Sequence, residues 1–197
     1  MNDELKREFA PEMGLDRLLE DLVRDGWLMG MNAGVDPAMV RMDPGTGSCN
    51  RAYFLALADR AIGDSEIGQR RAEDGPSPGS VAVLSVRVLD WAGLAKSVGE
   101  EVRLDLARRV ARVLREVLRV DDVIGRTAED TFSLLLRGCP EELHAQISER
   151  CRVALNREEV VADGVTHHVR VAAATHVWSG ESAGDLVDAC AERLNDG

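Results

Sequence analysis

Residues 126–132, Arg-Thr-Ala-Glu-Asp-Thr-Phe, set two adjacent carboxylates, Glu129 and Asp130, in a polar break between two strand-like runs, 121–125 and 132–136. The break reads as the tip of a two-strand hairpin, with Ala128, Glu129, Asp130 and Thr131 in the turn and Phe132 opening the second strand. Other candidate chemistry is sparse. Cys49, Cys139, Cys151 and Cys190 lie far apart, with no C-x-x-C pair and no histidine at ligand spacing, which predicts free thiols in a reducing compartment and not a zinc site. His167-His168 is the one histidine cluster, and neighbours on a strand point to opposite faces. Neither a metal nor a cofactor is expected from these residues.

Positive charge is carried almost entirely by arginine, with lysine only at Lys6 and Lys96. The guanidinium fork suits phosphate. A net charge of -11 nevertheless argues against nucleic acid as a partner, because duplex binding draws on many phosphate-neutralising cations.

These residues need a scaffold, and 197 residues allow one ordinary domain with a short appendage. A hydrophobic content of 45% with 30% charged residues is that of a globular chain, and no window approaches the apolar length that crosses a bilayer. Met1 to Glu8 carry no apolar run, so no signal peptide is expected and the protein is assigned to the cytoplasm without membrane insertion. Residues 1–42 read as an N-terminal helix, over roughly 14–25, and a linker; residues 43–197 read as the main domain. Trp27, Met29 and Met31 follow that helix and either seal its packing or form an adaptable contact surface.

Within the main domain, Asn50 to Ala61 has helical character and Gly63 to Gly79 reads as a polar loop. Ser80 to Leu89 is a β-branched run fit for a buried central strand. A short helix over 90–98 ends at Gly99, and a longer one runs from Glu100 to Leu118 with Leu104, Ala107, Val110, Ala111, Leu114, Val117 and Leu118 on one face. After the hairpin come a helix over 140–155, strands over 159–162 and 165–168 joined by Asp163-Gly164, the second continuing to Val177, and a helix over 183–194. The order predicts an α+β sandwich, a largely antiparallel sheet covered by helices.

Four landmarks in this order resemble the GGDEF family of diguanylate cyclase domains. Asp43-Pro-Gly-Thr46-Gly47-Ser-Cys-Asn50-Arg51 is similar to the family's D-x-L-T-G-x-x-N-R motif, Arg126 to Phe132 stands where the family has R-x-G-G-D-E-F, and Val169 to Val177 is similar to its V-x-V-S-x-G-V-A strand. The fourth is Arg119-Val-Asp-Asp122, nine residues before Ala128, where the family carries R-x-x-D. The resemblance implies a palm-like nucleotide-cyclase fold. It also implies that an active member would condense two GTP molecules, one on each protomer of a dimer, using carboxylates that hold a divalent metal on the triphosphate.

Departures from the family pattern are extensive. The resemblance places Arg87 where the first metal-binding aspartate belongs, Ala95 where an asparagine contacts the nucleotide, and Leu104 where an aspartate reads the guanine edge. Ala128 and Glu129 replace the paired glycines, Thr131 replaces the glutamate after Asp130, and the family's lysine near the end has no counterpart. What the resemblance leaves is the R-x-x-D site, which binds cyclic di-GMP in the family. There Arg119 would fork onto phosphate or lie against a purine, and Asp122 would accept from the guanine edge. Read only as structure, Arg119 is a cation favoured at a helix C-terminus and Asp122 a turn cap.

The expectation is therefore a catalytically inactive, GGDEF-like signalling protein. It would bind cyclic di-GMP through Arg119 and Asp122 and relay to a regulatory protein partner, with a homodimer possible. A nucleotide-independent interaction module with the same fold is the alternative, and an active diguanylate cyclase a third reading.

Overall fold

In the computed structural model, the described residues are 41–71, 80–119, 122–162 and 164–195. The expected N-terminal helix over 14–25, Trp27, Met29 and Met31 lie outside them.

The described fold starts with a turn. The Asp43 carboxylate accepts from the Thr46 backbone N–H at 2.9 Å and from Thr46 Oγ1 at 2.7 Å, while Gly47, at φ 65, closes the loop. This delivers the two-residue strand β1 (Cys49–Asn50). Asn50 Oδ1 then accepts from the Tyr53 N–H at 2.9 Å and caps helix α1 (Arg51–Arg71). Asn50 and Arg51 of the opening motif thus have structural partners, since Arg51 Nη2 also donates to Asp188 Oδ1 at 2.7 Å.

Strand β2 (Val81–Val88) lies inside the sheet, paired on both edges, with seven of its eight residues buried. Helix α2 (Trp91–Val117) breaks at Gly99, whose φ of 78 and ψ of 170 are open to glycine and hostile to other residues. Then come β3 (Val123–Arg126), β4 (Thr131–Arg137), α3 (Glu141–Leu155), β5 (Glu159–Ala162), β6 (Val165–His168), β7 (Val171–Val177) and α4 (Ala183–Glu192). Ser182 caps α4, accepting from the Asp185 N–H at 3.2 Å and donating to Asp185 Oδ2 at 2.7 Å.

The main sheet has the order β1-β3-β4-β2-β7. All neighbours are antiparallel except β1 and β3, which run parallel. Alternation along the strands sorts the core into two faces. Ala82, Leu84, Val86, Phe132, Leu134 and Leu136 pack against α2 and α3. Val81, Val83 and Leu135 pack against α1 and α4 through Phe54, Leu57, Leu186 and Cys190. Helices on both faces of a mostly antiparallel sheet make this the α+β architecture that the element order predicts. Among the described residues, no helix is long and apolar enough to cross a membrane.

Thr131, read as part of the hairpin turn, instead opens β4, and two boundaries differ from the sequence reading by more than two residues. Helix α1 runs ten residues beyond Ala61, to Arg71, although Gly63 and the polar residues after it suggested a loop. Ile62 and Ser65 are buried and carry the helix on, so packing overrides the helix-weakening glycine. The strand expected to continue from Val165 to Val177 is two strands. Residues 165–168 pair only with β5 in a separate hairpin, whereas β7 pairs with β2 in the main sheet. The chain changes sheets at 169–170, where the Val169 N–H donates to the Glu158 carbonyl at 3.0 Å and the Arg170 carbonyl accepts from the Leu89 N–H at 2.8 Å.

Candidate functional site

The hairpin β3–β4 brings the sequence-predicted residues into three neighbourhoods. In the first, β2 pairs with β4 so that Arg87 stands directly opposite Thr131. Arg87 Nε donates to Thr131 Oγ1 at 3.4 Å and lies 3.9 Å from Asp130 Oδ2. Arg87 Nη1 donates to Asn195 Oδ1 at 2.6 Å, and Nη2 to the Ala191 carbonyl at 3.4 Å, so the side chain also ties the hairpin to the end of α4. Beside it runs a buried chain of hydroxyls, Ser85 to Ser133 at 3.1 Å and Ser133 to Thr127 at 2.8 Å.

A divalent metal needs convergent anionic oxygens, and this arrangement lacks them. The guanidinium of Arg87 faces Asp130, and Thr131 supplies a neutral hydroxyl. Among the described residues, no group of three or more His, Cys, Asp or Glu side chains is placed to hold a metal ion. The residues present do not fit a divalent metal here. His168 Nδ1 lies 3.1 Å from Glu159 Oε1 across β5–β6, with His167 in the next register position and therefore on the opposite face.

The second neighbourhood is the hairpin tip. Ala128 and Glu129 line a cavity of about 360 Å³ together with Asp43, Glu100, Arg103, Leu104 and Arg126. Arg126 holds the tip in shape, since its Nε and Nη2 donate to the Glu129 carbonyl at 3.2 and 2.7 Å, while Nη1 reaches Asp43 Oδ1 at 3.4 Å. Arg103 pairs with both the Glu129 and the Glu100 carboxylates. Its hydrogen bond to Glu100, chiefly, holds that carboxyl below its ordinary value. Both guanidinium groups lie near the Trp91 ring, at 6.0 Å for Arg103 and 5.9 Å for Arg126. Leu104 enters this cavity from α2, as its helical position requires. Ala95 falls in the first part of α2, where only the backbone is described. Phe132, by contrast, points away from the tip into the core between the sheet and α2, fully buried.

The third neighbourhood holds Arg119 and Asp122. The two close a turn on themselves, with the Arg119 N–H donating to Asp122 Oδ2 at 3.1 Å and the Asp122 N–H to the Arg119 carbonyl at 3.1 Å. Both line a recess of about 80 Å³ with Val117, Leu118, Leu143, Gln146, Ile147 and Arg150. Arg150, on α3, donates through Nη2 to the Val117 carbonyl at 3.0 Å, satisfying one of the open carbonyls at the end of α2. The recess therefore carries two arginines, one carboxylate and apolar walls. Two thiols lie within electrostatic reach of these charged groups. Burial pushes the Cys139 thiol up, with Arg119 opposing the shift, and burial pushes Cys151 up to about 11, with Arg150 opposing it.

Sequence reasoning missed Arg103, Glu100 and Arg150. Leu143, Ile147 and Arg150 share a face of α3 at i, i+4 and i+7, a signal that fixes the face but not the element it meets.

A family profile described as "Diguanylate cyclase, GGDEF domain" matches residues 40–196, most of the chain. The chain belongs to the GGDEF family. Solved GGDEF structures share its fold. The FimX GGDEF domain from Pseudomonas aeruginosa aligns with a TM-score of 0.69 at 17% identity, covering 79% of this chain and 92% of that one. The GGDEF domain of DgcB from Caulobacter crescentus, solved in complex with c-di-GMP, aligns with a TM-score of 0.70 at 15% identity, covering 84% of this chain and 92% of that one. The diguanylate cyclase SiaD of Pseudomonas aeruginosa, solved with its activator SiaC, gives a TM-score of 0.67 at 20% identity, covering 98% of this chain and 69% of that one. No curated protein matches the sequence significantly.

Proposed function

We propose that this GGDEF domain is a cyclic di-GMP receptor that does not cyclise GTP and that passes occupancy of its site to a regulatory protein partner. The observation that carries the reading is the gathering on one recess of Arg119, just after α2, Asp122, just before β3, and Arg150 of α3. Two guanidinium groups suit the two phosphates of the ligand and the faces of its purines, and a carboxylate suits the N–H donors of a guanine edge. A recess of about 80 Å³ is too small to enclose a dinucleotide, so the ligand would lie across its mouth and seat one base or phosphate. Relatives of this fold have been solved with c-di-GMP, as for DgcB, and with an activator protein, as for SiaD.

The proposed loss of cyclase chemistry rests on separate residues. Arg87 stands where the family pattern has a metal-binding aspartate and faces Asp130, which places a cation where a divalent metal would need an anion. Ala128 and Glu129 add side chains at a tip where the family has glycines. Leu104 adds an apolar one where the family reads guanine.

Isothermal titration of the full chain with cyclic di-GMP tests the receptor reading. The expected result is micromolar or tighter binding that Arg119→Ala abolishes, and absence of heat with the unmodified protein would overturn it. Incubation with GTP and magnesium is expected to give no cyclic dinucleotide.

A second reading is favoured by the closed turn itself. Because the Arg119 and Asp122 backbone and carboxylate groups already satisfy each other, the tetrad can act purely as the link between α2 and β3. In that case the domain is a nucleotide-independent interaction module, and the titration shows no heat.

A further inference from the structure

The cavity at the hairpin tip carries chemistry that the receptor reading does not use. We propose that it binds a small organic oxyanion, a molecule with a carboxylate or phosphoryl head and an apolar body, and that Glu129 is its resident competitor.

The argument begins with unequal burial inside one ion-pair cluster. The Arg103 side chain is 20% exposed, whereas its two partners, Glu100 and Glu129, are 78% and 60% exposed. The cation is built into the wall and its anions reach it from solvent. Arg103 is further fixed over Trp91, itself 7% exposed, and the Trp91 indole N–H finds no acceptor among the described residues. An exposed carboxylate returns to water at little cost. An arriving oxyanion can therefore take the Arg103 fork as Glu129 and Glu100, which hold its Nη1 and Nη2, swing outward, and the freed fork supplies two parallel N–H donors.

Arg126 does not compete for the same role, since it is held by Asp43 and by the Glu129 carbonyl. It contributes a fixed positive charge behind the head group. Leu104 and Ala128 give the cavity an apolar side for the rest of the molecule. A volume of about 360 Å³ falls within the range of small-molecule sites, roughly 300 to 1,000 Å³.

Isothermal titration with benzoate and with phenyl phosphate tests this, the two probes separating a carboxylate head from a phosphoryl head, with benzyl alcohol as the neutral control. Binding of at least one anion and none of the alcohol is expected. Glu129→Gln, which keeps the side chain but removes the competing charge, should tighten that binding about fivefold, the order expected when one exposed ion pair no longer has to be displaced. Arg103→Gln should abolish it. Should that variant melt early, Arg103→Lys decides the point, because charge without the fork should weaken binding and unchanged binding would overturn the proposal. Absence of heat from both anions with Glu129→Gln, or full binding by a folded Arg103→Gln, would also overturn it. Arg119→Ala should leave probe binding unchanged, so failure here is distinguishable from failure of the cyclic di-GMP reading.

Discussion

Arg87 on β2 and Thr131 on β4 occupy directly opposed positions of the sheet, with Arg87 Nε donating to Thr131 Oγ1 at 3.4 Å. The same guanidinium reaches Asn195 and the Ala191 carbonyl, so one side chain clips the altered hairpin to the C-terminal helix. Arg87→Ala is expected to lower unfolding free energy by about 1–2 kcal/mol in urea melts, the loss of a few partly solvated hydrogen bonds. Arg87→Asp should cost more, because it sets a carboxylate against Asp130, and incubation of that variant with GTP and magnesium is expected to give no cyclic dinucleotide.

Arg150 makes a second prediction at the other end of the hairpin. If the recess seats a phosphate or a base, Arg150→Ala should weaken cyclic di-GMP binding about tenfold, the order of one charge-assisted contact. The readout is the dissociation constant by calorimetry, beside a melt that registers the released Val117 carbonyl.

Gly125 sits where β3 crosses α1. A Cβ added there would lie 2.6 Å from Phe54 Cδ2, and Phe54 is fully buried. Gly125→Ala should therefore destabilise by about 1–3 kcal/mol through overpacking, visible as an earlier thermal midpoint. Gly63→Ala, with open space around its position in α1, should instead raise the midpoint slightly.

The buried thiols set an alkaline limit. Burial raises Cys49 from 9.0 to about 12 and Cys151 from 9.0 to about 11. Between pH 9 and those values the unfolded chain releases protons that the folded chain retains, so stability is full below about pH 9 and falls as pH rises. Urea midpoints measured from pH 7 to 10.5 should decline above pH 9, and replacing Cys49 by Ala should flatten part of that decline.

Local physics made much of this readable in advance. The β-branched run at Val81–Val88, the break at Gly99 and the hairpin around Ala128 each follow from residues adjacent in sequence. The extension of α1 past Gly63 and the split at 169–170 depend on what packs against those residues, and no local pattern carries that information. Arg119 and Asp122 were visible as a tetrad, whereas Arg150 joins them only because α3 folds back over the end of α2. Arg103 was equally hidden, as one arginine among several on a helix, until the tip brought Glu129 to it.

Alternation along the strands has a last consequence. Arg87, Thr131 and Ser133 sit on the side of the sheet that faces α4, while the recess around Arg119 and Arg150 belongs to the side covered by α2 and α3. Arg87 and Arg150 share no hydrogen-bond partner, so the free-energy effects of replacing them should add. The protein can thus be altered one surface at a time, and a fluorescent label attached near one could monitor it while the other is varied freely.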